Sequence, residues 1–404
     1  MDIFKNIYFS CLLTVLIKLQ LTLQSEQKSI QAVYGCSTNN YNILLEIGNP
    51  EQLLYLKIDM SVGASWMTDN CYHIKESKTN SNIAHKKIKI GYFNYDSVIV
   101  SDQLHFINKK ISLQKFYFNL LIDERPEGAY DSLSLAYQFE NKSFSIINQL
   151  FEEGLIAKKK FSFVPKEDDE VGVIYFGDLP QEAVIKKYET KCKVQSNHTT
   201  WGCNLQKVII GNDVYSNSAY AYFNTIDSDI IAPLSFINFL KEHYLSSYLE
   251  NKICSFESGT QSYRCDCTKM GQFPQFMMVF DGKGIDLNNK IIFTDYLPRC
   301  FLRIRENYKS NDWVIGTRFM NNHIMSFDYD NDEISIYSET NPFSLIIFNY
   351  TGLVQSVFVR GLLYVITFSF ILCIFILGIF KLKLGKANTK TDGLGKHDYI
   401  SINI

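Results

Sequence analysis

The sequence has almost no net charge. Its 40 Lys and Arg residues meet 42 Asp and Glu over 404 residues, leaving −2. A nucleic-acid binder needs a basic surplus to neutralise phosphates, so that class is excluded. Signatures of metals and nucleotides are missing too. The 7 histidines contain no H-E-x-x-H pair. Cys265-Asp266-Cys267 brings two thiols close together, but it lacks C-x-x-C spacing and has no His pair nearby. Gly282-Lys283-Gly284 and Gly385-Lys386 do not extend into a P-loop. Asp281, Asp286, Asp328, Asp330 and Asp332 lack the order of a calcium loop and read as turn residues. No metal and no cofactor is expected. Low-complexity tracts and long linkers are also absent. What is present is apolar mass: 46% hydrophobic residues, with 25 Tyr and 30 Phe. That supplies a large core, in two domains or one bilobal one.

The two ends of the chain are set apart. Lys5 precedes an apolar stretch from Ile7 to Ile17, too short to span a bilayer and suited to a leader over residues 1–25. Residues 361–380, GLLYVITFSFILCIFILGIF, carry no charge. As a helix, twenty residues rise about 30 Å, the thickness of the hydrocarbon core. Arg360 precedes this stretch, and Lys381, Lys383, Lys386 and Lys390 follow it. Basic residues favour the cytoplasmic side, so the sequence predicts a single-pass type I membrane protein. Its bilayer contact is 361–380, its stalk 341–360 and its cytoplasmic tail 381–404. The bulk lies in the lumen or outside the cell, along the secretory route to a vacuole, lysosome or cell surface. The cysteines agree. Apart from Cys11 and Cys373 in the apolar segments, eight remain: Cys36, Cys71, Cys192, Cys203, Cys254, Cys265, Cys267 and Cys300. An even number in an oxidising compartment reads as disulfides. Sequons at Asn141, Asn197 and Asn349 fit the same compartment.

Between these ends the pattern is mainly β. Runs such as YNILLEI (41–47), LLYLKID (53–59), DSVIV (96–100), KFSFV (160–164), GVIYFG (172–177), KVIIG (207–211), FMMVFD (276–281), WVIG (313–316) and EISIY (333–337) alternate apolar with polar residues and end at Gly, Asn or Asp. Helical spacing is confined to 143–156 and 233–245, the second with Pro233 placed to begin it. One main helix and many strands in each half suggest a duplicated plan.

With these segments in order, residues 40–340 resemble the pepsin-like aspartic peptidases. YNILLEIGNPEQLLYLKID is similar to the family's opening hairpin. SLSLAYQ, SIINQLFEEGLIAKKKFSF and VIYFGDLP follow in the family's order. The strongest match is DWVIGTRFMNNHIMSFDYDNDEISIY. The resemblance implies an all-β bilobal fold with a few short helices, lobes at 36–190 and 191–340, and a peptide or protein ligand in the cleft between them. It also implies a catalytic Asp in each lobe, within D-T-G-[ST]-S. Here the first lobe carries Asp59-Met60-Ser61-Val62-Gly63, with Trp66 seven residues after Asp59 as in the family. In the second, alignment on Ala232-Pro233 places Asn224 at the Asp position, keeps Thr225, and puts Ile226 where Gly belongs. Two family threonines lock the loops by crossed hydrogen bonds, and Met60 replaces one of them. Ser134 stands where the first lobe's apolar–apolar–Gly turn expects glycine. Alignment of the flap leaves Ala84 at the position of the family tyrosine, with Tyr92 and Tyr95 as alternatives. The resemblance further suggests that Cys192 pairs with Cys203, and that Cys254, Cys265, Cys267 and Cys300 pair among themselves.

The chemistry follows from these departures. In the family two carboxylates about 3 Å apart share one proton, one acting as base on water and the other as acid to the peptide carbonyl. An amide at 224 does not ionise, and Asp59 alone titrates as a single acid. The sequence therefore favours a pseudo-peptidase that binds in its cleft with little or no hydrolysis. Two other readings stand beside it. One is an acid endopeptidase that recruits Asp227 or Asp229. The other is a structural surface glycoprotein whose cleft is closed by Met60 and Ile226.

Overall fold

A computed structural model describes residues 29–37, 40–90, 93–107, 111–122, 130–139, 144–166, 171–259, 262–296, 298–339 and 341. The expected leader, the sequons at Asn141 and Asn349, the span at 361–380 and the tail lie outside these residues. So does the stalk apart from residue 341. No helix among the described residues is long and apolar enough to cross a membrane.

Alternation decides the strands. In strand Gln52–Asp59, Leu54, Leu56 and Ile58 turn into the core while Leu53 and Tyr55 face out. The strand pairs antiparallel with Asn40–Ile47 through a turn at Gly48, whose φ of 90° only glycine adopts freely. Side chains are equally constrained there: a Cβ on Gly48 would lie 2.8 Å from Ser77 Oγ. Helices are few and short. Ile146–Glu152 is capped by Ser145, whose side chain accepts from the Asn148 N–H. Leu234–Leu240 starts one residue after Pro233, which closes strand Ile230–Pro233 instead of opening the helix.

Among the described residues the strands form sheets of thirteen, eight and four. The largest draws on both halves. Tyr188–Lys193, Ile324–Asp328 and Glu333–Ser338 continue a sheet whose other members lie between Ser29–Ser37 and Val171–Gly177 in the chain. The halves are therefore sewn together by backbone pairing, with Met325 opposite Phe163 and Phe327 opposite Phe161. An aromatic cluster fills the seam. Phe161 stacks on Phe327 at 4.8 Å, and Trp201 meets Tyr329 edge-on at 4.7 Å. The buried Trp201 indole donates to the Leu135 carbonyl at 2.9 Å, tying the second half to the first.

Disulfides join Cys192 to Cys203, Cys254 to Cys265, and Cys267 to Cys300. Cys254 and Cys265 are opposite residues on neighbouring strands, and Cys300 lies opposite Cys265 on the next. The 33-residue loop closed by the third bond has the most chain entropy to lose, and the bond is worth about 3–4 kcal/mol in the entropic account.

One buried base makes the fold acid-sensitive. His323 stacks on Phe319 at 4.4 Å, and its Nδ1 meets the Phe319 carbonyl at 2.9 Å. Burial pushes its pKa down to about 4, against a helping carbonyl and with Lys187 adding to the fall. The unfolded chain, with an ordinary imidazole near 6.5, binds a proton before the native state does. Stability from a neutral His323 is thus intact above pH 6.5 and falls as the pH drops toward 4, by about 3 kcal/mol in all. His323→Gln is expected to flatten the urea-unfolding free energy between pH 6.5 and 4. A slope unchanged in the variant would mean that other groups set it.

Candidate functional site

Two loops meet where the halves face each other. Asp59 ends its strand and is 2% exposed. Its Oδ1 accepts the Ser61 N–H at 2.7 Å and the Ser61 hydroxyl at 2.6 Å. Asn224 follows strand Ala219–Phe223 and is likewise buried. Its Oδ1 accepts the Ile226 N–H at 2.7 Å. Each loop thus folds back on the polar side chain at its start by the same i to i+2 contact. An N–H can only face an oxygen, so the Asn224 orientation is fixed and its Nδ2 points the other way. There it donates to Asp227 Oδ2 at 3.1 Å.

Thr225 ties the loops together. Its hydroxyl donates to the Ile58 carbonyl at 2.7 Å and accepts the Met60 N–H at 3.3 Å. Met60 makes no return bond of this kind. Its side chain, 1% exposed, joins the hydrophobic core, so the expected place for Met60 on the cleft floor is corrected. A thioether has no hydroxyl to offer the facing loop, and the core is its favourable environment. Ser61 is exposed and Ile226 half-buried. Neither has a positive φ, and the serine adds a second hydrogen bond to Asp59 in place of strain. Thr225→Val keeps the shape and removes both cross-loop bonds. It is expected to lower stability by about 2–4 kcal/mol, read as a shifted urea midpoint, because two buried backbone groups lose partners.

The electrostatics bring in residues that the sequence reading passed over. Lys57, two residues before Asp59, is only 7% exposed, and its Nζ lies 3.7 Å from the centroid of the Tyr130 ring. Burial pushes its pKa down, while the charges of Asp59 and Asp227 pull the other way. No ion pair joins it to either carboxylate among the described residues. Tyr130 feels both carboxylates as well and hydrogen-bonds Asp59, and burial above all raises its phenol pKa. Asp227 is pushed up chiefly by burial, with Arg305 opposing and Asp229 adding to the rise. The signal for Lys57 was a lysine inside LLYLKID at the end of a strand that otherwise turns apolar.

The flap is corrected. Hairpin Ser81–Ile90 and Phe93–Phe106 pairs Ile90 with Phe93 at its closed end. Ala84 pairs with Ile99, well down the hairpin. Ile88 instead packs on Trp66, with Leu121 and the half-buried Tyr95. The buried Trp66 Nε1 has no hydrogen-bond partner. An apolar neighbour cannot accept its proton, and that is a local cost.

The eukaryotic aspartyl protease family model matches residues 40–338. The chain belongs to that family. None of the curated proteins compared by sequence matches it. Among solved structures, the aspartic proteinase from Irpex lacteus superposes with a TM-score of 0.63 at 11% identity, over 78% of this chain and 98% of its own. At that identity the likeness concerns the fold alone. It is the fold that puts the loops of this family member at the ends of equivalent strands, with Asp59 and Asn224 at their starts. Of the remaining sites expected from sequence, Asn197 is exposed on a turn, consistent with an accessible sequon. Cys71 is half-buried, and the Cys36 side chain lies outside those described. No group of three or more His, Cys, Asp or Glu comes together to hold a metal among the described residues.

Proposed function

We propose that this protein holds a peptide or protein in the cleft between its halves and hydrolyses it slowly or not at all. One observation carries the reading: Asn224 is used as an amide. Its oxygen is bound by Ile226 N–H and its nitrogen donates to Asp227. A carboxylate at 224 would set oxygen against oxygen there. Asp59 in turn accepts both the N–H and the hydroxyl of Ser61 on one carboxylate oxygen, so that oxygen is already committed within its own loop. Lys57 adds a positive charge to the floor, where the acid chemistry of the family needs a proton that moves. The exposed Ser61 keeps the floor open to a ligand, which argues against a filled cleft. Attachment through 361–380, with the cleft on the luminal or outer face, is the placement that fits the three disulfides and the exposed Asn197 sequon.

A second reading rests on the contact between Asp227 and Asn224. Asp227 supplies a second carboxylate in the same loop, and its raised pKa suits a proton donor. The full-length chain, purified in mild detergent and incubated with a mixed-peptide substrate at pH 3–6, separates the two. The pseudo-peptidase reading expects no cleavage above that of an Asp59→Ala variant. Cleavage abolished by Asp59→Ala and by Asp227→Asn would establish the second reading.

A further inference from the structure

Three cysteines stand in a row across the four-stranded sheet. Strands Cys254–Glu257, Ser262–Asp266 and Arg299–Leu302 run side by side, and Cys265 on the middle one lies opposite Cys254 on one flank and Cys300 on the other. Directly opposite residues of antiparallel strands point to the same face, about 4.5–5.5 Å apart at Cα, within the reach of a disulfide. Cys265 therefore has two neighbours it can bond and is bonded to one, Cys254. Cys300 is bonded instead to Cys267, which lies two residues beyond Cys265 through the extended backbone of Asp266 and so returns to the same face. Four sulfurs share one face as two bonds, and the middle sulfur is placed to change partner. The remaining disulfide has no such choice: Cys192 lies opposite Ile334 and Cys203 opposite Ala221.

The row has an approach. A cavity of about 340 Å³ is lined by Cys254 and Cys265 together with Lys252, Arg264, Asp266 and Arg299. Both cysteines are otherwise close to buried, at 4% and 2% exposed, so the cavity is the side from which their bond is reached. Its lining is basic. Arg264 is drawn to Glu257, 3.8 Å away, and Asp266 commits one carboxylate oxygen to the N–H and hydroxyl of Thr268. Lys252 and Arg299 are exposed and make no ion pair among the described residues. Positive charge beside a disulfide attracts an anionic thiol and lowers the pKa of the sulfur that leaves, and both effects speed exchange.

We propose that this cavity is a thiol-exchange site, where a small thiol bearing carboxylates opens Cys254–Cys265 and the exchange passes on to Cys267–Cys300. In the first step the external thiolate attacks the Cys254 sulfur, forming a mixed disulfide and releasing Cys265 as thiolate. In the second, the Cys265 thiolate attacks the Cys300 sulfur. Cys265–Cys300 forms, and Cys267 leaves as thiolate to take a proton from water. The external thiol is the one reductant consumed. The short helix Cys267–Gln272 then loses its covalent tie to strand Arg299–Leu302. Neither step involves Asp59 or Asn224, so the site does not depend on what the cleft does. The test exposes the full-length chain, in mild detergent at neutral pH, to reduced glutathione, quenches samples with N-ethylmaleimide and maps the cysteines by mass spectrometry after digestion. Glutathione on Cys254, a Cys265–Cys300 disulfide and alkylated Cys267 are expected, with Cys254–Cys265 opening about tenfold or more faster than Cys192–Cys203. Lys252→Asn and Arg299→Gln together should slow glutathione about tenfold and leave uncharged 2-mercaptoethanol nearly unaffected. Alkylated Cys254 and Cys265 beside an intact Cys267–Cys300 bond would overturn the relay. Opening of Cys254–Cys265 no faster than that of Cys192–Cys203 would overturn the site, and equal slowing of both thiols would overturn the role of the cavity's charge.

Discussion

Replacing Asn224 with Asp alone is expected to leave peptide hydrolysis at or near background. The new carboxylate would meet Asp227 Oδ2 at the 3.1 Å now spanned by an amide hydrogen bond. Two carboxyl groups at that distance share a proton with each other, so the 224 side chain would pair with Asp227 and not with Asp59. Lys57, buried two residues before Asp59, would set a basic group beside the pair that competes for any proton the two carboxyls share. Asn224→Asp, Asp227→Thr and Lys57→Val together remove both obstacles. That triple variant is expected to exceed the single variant by roughly 10³-fold in kcat/KM at acid pH, the scale of losses when one member of a catalytic unit is missing. Its pH profile should be bell-shaped, reporting a coupled pair, where any residual activity of the unmodified chain would follow one ionisation. Thr225 already bridges the loops, so the geometry to carry a pair is partly in place. A single Asn224→Asp change that restores full activity would refute the roles given to Asp227 and Lys57.

These obstacles show where the sequence was readable and where it was not. The strands were legible because alternation is a local signal: Leu54, Leu56 and Ile58 go inward wherever the sheet lies. Asp59 and Asn224 were legible because small residues, a tryptophan and an Ala-Pro-helix junction surround them at fixed distances. The hairpin was not. Its first strand carries Lys86, Lys87 and Lys89 among few apolar residues, and register is weakly specified where a strand is largely polar. The side of Met60 was missed because one residue's rotation at a strand end is decided by the core behind it. Lys57 and Tyr130 were missed because their meeting is tertiary. Lys57 lies opposite Ser132 on strands paired in parallel, Tyr130 stands two residues before Ser132, and no spacing in the sequence announces that.

Gly316→Ala is expected to be the most damaging single methyl in the second half. The φ of −82° at Gly316 suits any residue, so backbone freedom is not the reason for a glycine. The reason is space. A Cβ there would lie 2.4 Å from the Asp229 carbonyl oxygen, 2.6 Å from that of Asp227 and 2.6 Å from the Ser228 carbonyl carbon. All three are backbone atoms of the loop that carries Asn224 and Asp227, and the same loop is held from the other side. Thr317 N–H donates to the Asp227 carbonyl at 2.8 Å, and Asn224 N–H donates to the Ile315 carbonyl at 3.0 Å. The loop cannot retreat without breaking those bonds. Overpacking of this kind, with the bonds added, amounts to about 3–5 kcal/mol, read as a lowered thermal midpoint and loss of any cleft ligand. The first half solves the same contact differently. Ser134 backs the loop after Asp59, its N–H bound to Ser65 Oγ at 3.0 Å and its hydroxyl donated to the Val62 carbonyl. There the loop has opened enough to admit a side chain, and the hydroxyl fills the gap with a hydrogen bond. Ser134→Ala should therefore cost only about 1–2 kcal/mol, the worth of one buried bond. If Gly316→Ala proved as mild as Ser134→Ala, the second loop would have the freedom of the first, and the rigid seat argued for Asn224 and Asp227 would be lost.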